Sequence, residues 1–129
     1  MDIPIDVCFL IASSAKRSYQ ALSKDYAAIE PPTWALLLAQ SCRSVGFKVN
    51  IIDANVENLS NDETLNRINK LKPKLLCLVV YGQNVNAGTA NMRGAVDITN
   101  FLKENKVPYL ISFIGSHVQA LPKETLDKE

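Results

Sequence analysis

The chain has 129 residues, of which 47% are apolar and 21% charged, a composition typical of one globular domain rather than of a disordered segment. Its formal net charge of +1 gives no electrostatic reason to expect a nucleic acid or an acidic membrane as a partner. No apolar run is long enough to cross a bilayer, and the short opening segment carries Asp2 and Asp6 where a signal peptide would be basic. We therefore expect a cytoplasmic protein.

The elements alternate between strands and helices along the chain. Nearly continuous apolar runs are typical of strands that are buried on both faces, and longer segments with periodic apolar residues predict helices. The predicted strands cover residues 5–12, 48–53, 75–80 and 108–113. The predicted helices cover residues 33–45, 60–72 and 88–105, and another begins at Lys123.

Local signals support these boundaries. Ser60 followed by Glu63 predicts a capping box at the start of the second helix, and Pro73 predicts its end. Gly46 suits the position just past the first helix. Trp34 begins an apolar helix, so packing in the core is the favoured prediction for its ring over stacking on a ligand.

Strands that alternate with helices predict parallel pairing with right-handed crossovers. The simplest arrangement is an α/β, flavodoxin-like (Rossmann-like) doubly wound sheet with strand order 2-1-3-4, and a fifth strand would be expected next. We therefore predict that residues 1–129 form one domain and that the chain is a fragment of a longer protein.

A ligand of such a sheet binds beyond the carboxyl ends of the strands at the switch point, here between the first and third strands. The predicted loops at this edge cover residues 13–30, 81–87 and 115–122. Two of them carry unusual sequences, Tyr81-Gly82-Gln83-Asn84 and Gly115-Ser116-His117. Turn chemistry alone could explain each residue, but their convergence on one edge favours a site. Glycine permits close approach to a ligand, and amides both donate and accept hydrogen bonds.

The three cysteines, Cys8, Cys42 and Cys77, lie far apart in apolar surroundings and form no CxxC pair. Buried, reduced thiols are therefore expected rather than a disulfide or a metal site. No metal ligands are predicted. No Ser-His-Asp or Cys-His arrangement is predicted either, because the chain has one histidine and no serine in a nucleophile-elbow context.

Several segments together resemble the amino-terminal cobalamin-binding domain of cobalamin-dependent radical SAM enzymes. The resemblance covers nearly the whole chain, and its individual motifs are short. The segments are Glu30-Pro31-Pro32-Thr33-Trp34, Val45-Gly46-Phe47-Lys48-Val49, Ile52-Asp53-Ala54 with Asn55 and Leu59, Val80-Tyr81-Gly82-Gln83-Asn84, and Gly115-Ser116-His117-Val118-Gln119-Ala120-Leu121-Pro122.

The resemblance implies that the corrin ring lies across the carboxyl edge of the sheet and that its nucleotide tail runs between the sheet and flanking helices. It places three groups of residues around the cofactor. They are Tyr81, Gly82, Gln83, Asn84 and Val85 under the ring, Asp53, Ala54 and Asn55 at the ring edge, and Gly115, Ser116 and His117 along the tail.

The sequence departs from the better-known cobalamin domains, which carry Asp-x-His-x-x-Gly after the first strand. Here residues 13–18 read Ser-Ser-Ala-Lys-Arg-Ser and contain no histidine. We therefore expect cobalamin with its own base displaced and no histidine on cobalt. A less favoured alternative is that His117 reaches the cobalt.

The cysteine spacing also lacks the Cys-x3-Cys-x2-Cys motif of a [4Fe-4S] cluster that cleaves S-adenosylmethionine. The resemblance places that cluster and S-adenosylmethionine in a carboxyl-terminal radical SAM domain of the parent protein. The parent would then transfer a methyl group or catalyse another radical rearrangement, and this segment would not be catalytic alone.

Other functions of the same fold are less consistent with the sequence. A receiver domain needs an acidic phosphoacceptor where Tyr81 stands, and a flavodoxin needs a Ser/Thr-rich phosphate loop that opens directly into the first helix. An independent enzyme lacks a recognisable catalytic arrangement. The alternative that stays open is a degenerate flavodoxin-like interaction module that binds no corrin.

Overall fold

The computed structural model describes residues 4–14, 30–82 and 85–128. Each strand except the last is followed by one helix within these ranges. The elements are β1 (Val7–Ile11), α1 (Thr33–Ser44), β2 (Val49–Asp53), α2 (Asn61–Leu71), β3 (Leu75–Val80), α3 (Val85–Glu104), β4 (Leu110–Gly115), α4 (Ser116–Ala120) and α5 (Pro122–Lys128).

The described strands form one parallel sheet in the order β2-β1-β3-β4, which confirms the predicted α/β flavodoxin-like architecture. Val7 of β1 aligns with Val49 of β2 and with Leu75 of β3, and Leu75 in turn aligns with Leu110 of β4. The strand order reverses between β1 and β3, as the doubly wound topology requires. A fifth strand stays a prediction, and β4 lies at the edge of the described sheet.

Successive side chains of a strand point to opposite faces of the sheet, so the core has one part on each face. One face carries Leu10, Leu76 and Leu78 under α2 and α3, whose Ile68 and Leu102 are fully buried against it. The other face carries Phe9, Cys77 and Val79, and α1 packs on it through Ala35 and Ala39. The two small side chains let α1 approach closely.

The amino end of the sheet is held by a charged group. Asp6 precedes β1; its Oδ2 accepts the backbone N–H of Lys48 at 2.9 Å, and its Oδ1 pairs with Nζ of Lys74 at 2.7 Å. Lys48 and Lys74 directly precede β2 and β3. The hydrogen bond from Lys74, followed by that from the Lys48 backbone, lowers the pKa of Asp6.

Most predicted boundaries are confirmed, including the capping box, in which Oγ of Ser60 accepts the N–H of Glu63 and the Glu63 carboxylate accepts the N–H of Ser60. The prediction for β4 was displaced by two residues. Its ladder begins after Pro108, which has no N–H to donate, and continues to Gly115 because this residue pairs with Val80.

Two other expectations were wrong. Residues 115–122 were predicted to be a loop, but Gly115 ends β4, Ser116–Ala120 form a short helix and α5 begins at Pro122. Trp34 was predicted to lie in the core, yet 51% of its surface is exposed. The positions of α1 that face the sheet are those of Ala35 and Ala39, so Trp34 projects from the flank of the helix.

All three cysteines are free. Cys8 and Cys77 are buried as predicted, whereas Cys42 is only half-buried. Burial, with a smaller effect of the neighbouring Cys77, raises the pKa of the Cys8 thiol to about 12. Burial also raises the pKa of Cys77. Across residues 4–14, 30–82 and 85–128, no helix combines the length and apolar character that a membrane span needs.

Candidate functional site

The carboxyl ends of the four strands form one edge of the sheet, here called the carboxyl rim. It comprises residues 12–14, 53–55, 81–82 and 115–117. Val80, the last residue of β3, pairs with Gly115, the last residue of β4, so Tyr81 and Ser116 leave the sheet side by side. The structure thus brings together the two segments that the sequence analysis singled out after the third and fourth strands.

Closely packed glycines lie where these two segments meet. A Cβ on Gly115 would fall on the carbonyl oxygen of Val80 and lie 2.7 Å from its carbonyl carbon. A Cβ on Gly82 would lie 2.7 Å from the nitrogen of Gly88, and a Cβ on Gly88 would lie 2.7 Å from Oγ of Ser116. Contacts with backbone atoms therefore account for Gly82 and Gly115 without a ligand beside them, whereas Gly88 contacts a side-chain hydroxyl that can rotate away.

A chain of hydrogen bonds joins the ends of β1, β2 and β3. The backbone N–H of Ser14 donates to Oδ1 of Asn55 at 3.2 Å, and Oγ of Ser14 donates to Oδ1 of Asn91 at 2.8 Å. Nδ2 of Asn91 then donates to the carbonyl oxygen of Tyr81 at 3.0 Å. We call these four residues the rim network. All of its groups are neutral amides, hydroxyls and carbonyls.

An aromatic pair lies beside the rim network. The rings of Trp34 and Tyr81 stack with centroids 4.8 Å apart and an angle of 23° between their planes. Tyr81 is half-buried and Trp34 is half-exposed. The pair presents a flat, partly apolar surface at the end of β3, on the face of the sheet that α1 covers.

The residues that follow β2 form the far side of the rim. Oδ1 of Asp53 accepts the N–H of Val56 at 3.0 Å and so stabilises the turn after the strand. Ala54 is buried, and its N–H donates to the carbonyl of Ile11. Asp53 and Asn55 therefore offer side chains to this edge, whereas the methyl group of Ala54 packs in the core.

His117 lies in α4, which packs against α3, β3 and β4. Its Nδ1 is 3.3 Å from Oγ1 of Thr89 in α3, and the ring is half-buried. The histidine is thus held against α3 by a hydrogen-bond partner of its own.

A small cavity lies between the rim network and the face of the sheet under α3. It is lined by the side chains of Ser14, Asn55 and Asn91 together with apolar residues of β1, β3 and α3. Its volume of about 30 Å³ suffices for water but not for a nucleotide. Every buried side-chain polar atom in the described part of the chain has a hydrogen-bond partner.

The predicted site residues Gln83 and Asn84 lie outside the described residues, as do residues 15–18 of the segment after β1, and the side chain of Val85 is likewise not described. In the ranges that the structure describes, no cluster of His, Cys, Asp or Glu has the arrangement of a metal site.

Sequence reasoning missed Ser14, Asn91 and the stacking role of Trp34. Asn91 was placed in a helix and in the stretch 89–92 behind the resembling segment at Tyr81, but no hydrogen-bond partner was predicted for it. Gly94 was missed too: a Cβ there would lie 2.8 Å from the carbonyl oxygen of Ser13, so α3 contacts the exit of β1 directly.

Comparison with known proteins gives one match. Residues 19–129 match the family described as B12 binding domain, which covers more than half of the chain. No curated protein and no solved structure matches.

Proposed function

The chain belongs to the B12-binding domain family, and from this premise we propose that its carboxyl rim binds cobalamin with the cofactor's own base displaced and without a histidine ligand to cobalt. The observation that carries the proposal is that Tyr81 leaves β3, one of the two strands that flank the switch point, directly beside Gly115 at the end of β4. Ligands of open α/β sheets bind there. When bound, cobalamin supplies methyl-transfer or radical chemistry, and this domain holds and orients it.

The chemistry of the rim suits a broad ring whose periphery carries amide groups. The Trp34–Tyr81 pair offers a flat surface for apolar contact. Around it, Asn55 is placed to donate hydrogen bonds to peripheral amides or accept them, and the carboxylate of Asp53 is placed to accept them. The backbone of Tyr81 and Gly82 lies on the same side of the proposed ring. Gln83, Asn84 and Val85 continue the same segment and complete the proposed ring contact.

The proposed path of the nucleotide tail follows the face of the sheet that α1 covers. The cavity under α3 is far too small for a nucleotide. On the opposite face, α1 contacts β1 and β2, whereas Ser112 and Ile114 of β4 are only half-buried and Leu110 is exposed. The tail would pass the backbone of Gly115 and Ser116 and then follow these β4 residues.

The absence of a histidine ligand rests on the position of the only histidine. His117 is engaged with Thr89 and packs with α4 against α3. At the end of β1, where the better-known cobalamin domains carry their ligand, Ser14 is buried and donates to Asn91. Among the described rim residues, His117 is therefore the one imidazole, and in this structure its Nδ1 lies against Thr89.

We further propose that the parent protein is a cobalamin-dependent radical SAM enzyme. The support is the sequence resemblance, together with the family of this domain. The [4Fe-4S] cluster and S-adenosylmethionine would bind to a following domain, and the gene downstream of Glu129 should encode the Cys-x3-Cys-x2-Cys motif. A downstream sequence without this motif would contradict the proposal for the parent but not the proposal for this domain.

Retention of corrin tests cobalamin binding directly. Protein mixed with hydroxocobalamin and desalted should keep visible corrin absorbance, and the fluorescence of Trp34, the only tryptophan, should be quenched because corrins absorb at its emission wavelengths. Gly46→Ala is the matched control, since this residue lies at the opposite end of the sheet. A colourless wild-type protein with unquenched fluorescence would favour the interaction module without corrin.

Electron paramagnetic resonance of the cobalt(II) form tests the lower ligand. We expect no nitrogen superhyperfine splitting in the wild type or in His117→Ala. Splitting that disappears in His117→Ala would make His117 the ligand, and splitting that persists in this variant would show that the cofactor's own base stays on cobalt. Either result would overturn the proposed coordination.

A further inference from the structure

The side chain of Asn91 joins two segments of the carboxyl rim that are distant in sequence. It accepts a hydrogen bond from Ser14, 77 residues away, and donates one to the carbonyl of Tyr81. It thereby connects the exit of β1 with the exit of β3, the two strands that flank the switch point.

The chemistry of the partners fixes the direction of each hydrogen bond. The carbonyl oxygen of Tyr81 can only accept, so the NH₂ group of Asn91 must face it. Oδ1 of Asn91 then faces Ser14, whose hydroxyl must donate. The backbone N–H of Ser14 can only donate, and it meets Oδ1 of Asn55. One arrangement of donors and acceptors therefore satisfies the whole rim network.

Close packing supports the same connection. Ser14 is 8% exposed, and Gly94, one turn after Asn91 on α3, leaves no room for a Cβ beside the carbonyl of Ser13. These hydrogen bonds are partly buried, so breaking them is costly to the extent that the groups left behind are not rehydrated. The exit of β1 is thus held against α3 by packing and by hydrogen bonds.

We propose that Asn91 is a positioning residue for cobalamin, which holds the backbone of Tyr81 and the exit of β1 in the geometry that the corrin ring contacts. The inference rests on the proposed function. It adds a residue on a helix, outside all the segments assigned to the ring or the tail, whose side chain acts through Tyr81 rather than by touching the cofactor.

Two substitutions at Asn91 separate its two hydrogen bonds. Asn91→Ala removes both, and Asn91→Asp keeps an acceptor for Ser14 but places a second acceptor against the Tyr81 carbonyl. The matched control is Asn105→Ala, because Nδ2 of Asn105 donates to the carbonyl of Phe101 at 2.8 Å near the end of the same helix, far from the rim. Affinity for hydroxocobalamin is measured by quenching of Trp34, and hydrogen exchange of residues 79–82 is measured without ligand.

We expect about tenfold weaker binding for Asn91→Ala and at least as large a loss for Asn91→Asp, with no change for Asn105→Ala. Exchange at residues 79–82 should accelerate in both Asn91 variants only. If Asn91→Ala does not fold, Ser14→Ala serves instead and should give a smaller loss of affinity, since it keeps the bond to Tyr81.

The possible failures are distinguishable. A wild type that binds cobalamin while the Asn91 variants bind equally well overturns the positioning role and leaves the proposed function standing. Weaker binding with unchanged exchange at residues 79–82 also overturns it, because the effect would not pass through Tyr81. A wild type that binds no corrin overturns the proposed function and, with it, this inference.

Discussion

The two ends of the sheet join the same three strands by different chemistry. At the amino end, the carboxylate of Asp6 joins β1 to Lys48 and Lys74, which directly precede β2 and β3. At the carboxyl end, Ser14 joins β1 to Asn55 after β2 and, through Asn91, to Tyr81 after β3. One end uses an ion pair, and the other uses neutral groups.

The choice between an ion pair and neutral groups is consistent with a ligand site proposed at the carboxyl end alone. An ion pair that is open to solvent remains hydrated and is worth little, so it suits the amino end, where we propose no ligand. Charges buried beneath a large uncharged ring would lose their water, which is costly. Neutral amides with satisfied hydrogen bonds avoid this cost, and they can hold a rim rigid while an amide-bearing ligand covers it.

The largest effect is expected from Gly115→Ala, which places a methyl group on the backbone of Val80. No side chain can move to relieve this contact, so we expect a loss of about 3 kcal/mol in the free energy of unfolding, together with loss of corrin retention. Chemical denaturation followed by far-UV circular dichroism measures the first, and absorbance after desalting measures the second.

Gly46→Ala is the control at the other end. Gly46 has φ of +95° with open space around its Cβ position, so the substitution costs about 1 kcal/mol through backbone conformation alone. Corrin retention should stay at the wild-type level. If Gly115→Ala and Gly46→Ala lost corrin equally, general destabilisation would explain the loss. Corrin retention would then not depend specifically on the carboxyl end of the sheet.

A smaller effect is expected from Gly94→Ala. The added Cβ would meet the carbonyl of Ser13, which favours displacement of α3, whereas alanine improves helix propensity by up to about 1 kcal/mol. We expect a net destabilisation of about 1 kcal/mol and a clear loss of cobalamin affinity, measured by denaturation and by quenching of Trp34. A variant that is more stable and binds as well as the wild type would show that the contact at the exit of β1 is dispensable.

Most of the fold could be predicted because local signals agreed with the global pattern. The run Leu75–Val80 is apolar throughout, and the capping box at Ser60 marks a helix start without any tertiary information. The end of β4 was not predictable in this way. Gly115 belongs to the strand because its backbone pairs with Val80, a contact that the local sequence does not encode.

The candidate site was predictable only where the topology alone brings residues together. Tyr81 and Gly115 follow neighbouring strands, so the strand order was enough to place them side by side. The contact between Asn91 and Ser14 depends on the rotation of α3 about its axis and on the distance of α3 from β1. The spacing of apolar residues along the sequence does not determine either quantity closely enough to predict a hydrogen bond. Trp34 was assigned to the core because it begins an apolar helix, but the residues of that helix that are buried against the sheet are Ala35 and Ala39.

Trp34→Ala tests the aromatic surface of the rim with a smaller effect on the fold. Trp34 is half-exposed and stacks on one ring, so we expect about 1 kcal/mol of destabilisation. Cobalamin retention, measured by absorbance because the fluorophore is lost, should fall further than this stability change explains. Trp34→Phe keeps a ring on Tyr81 and should restore most of the retention. Equal retention in all three proteins would exclude the aromatic pair from the site.

The smallest effect is expected from Asp6→Asn at the amino end. The pKa of Asp6 is lowered in the folded protein, so its carboxylate contributes stability that is present above the unfolded pKa near 3.8 and is lost as the pH falls through the folded value. The Tm of the variant should therefore lie slightly below that of the wild type at neutral pH, and the gap should close as the pH falls through the lowered pKa of Asp6. Added salt should also narrow the gap, because the pair with Lys74 is open to solvent.

Glu57→Gln provides the control for Asp6→Asn, since the ion pair of Glu57 with Arg67 is equally close to solvent but joins no neighbouring strands. It should change the Tm less than Asp6→Asn does, and neither variant should change cobalamin affinity. If Asp6→Asn weakened cobalamin binding as much as Asn91→Ala, the amino end would influence the rim through the strands. The rim network would then not be the feature that holds the carboxyl rim in its binding geometry. The two ends of the sheet would both matter for cobalamin binding, contrary to the comparison above.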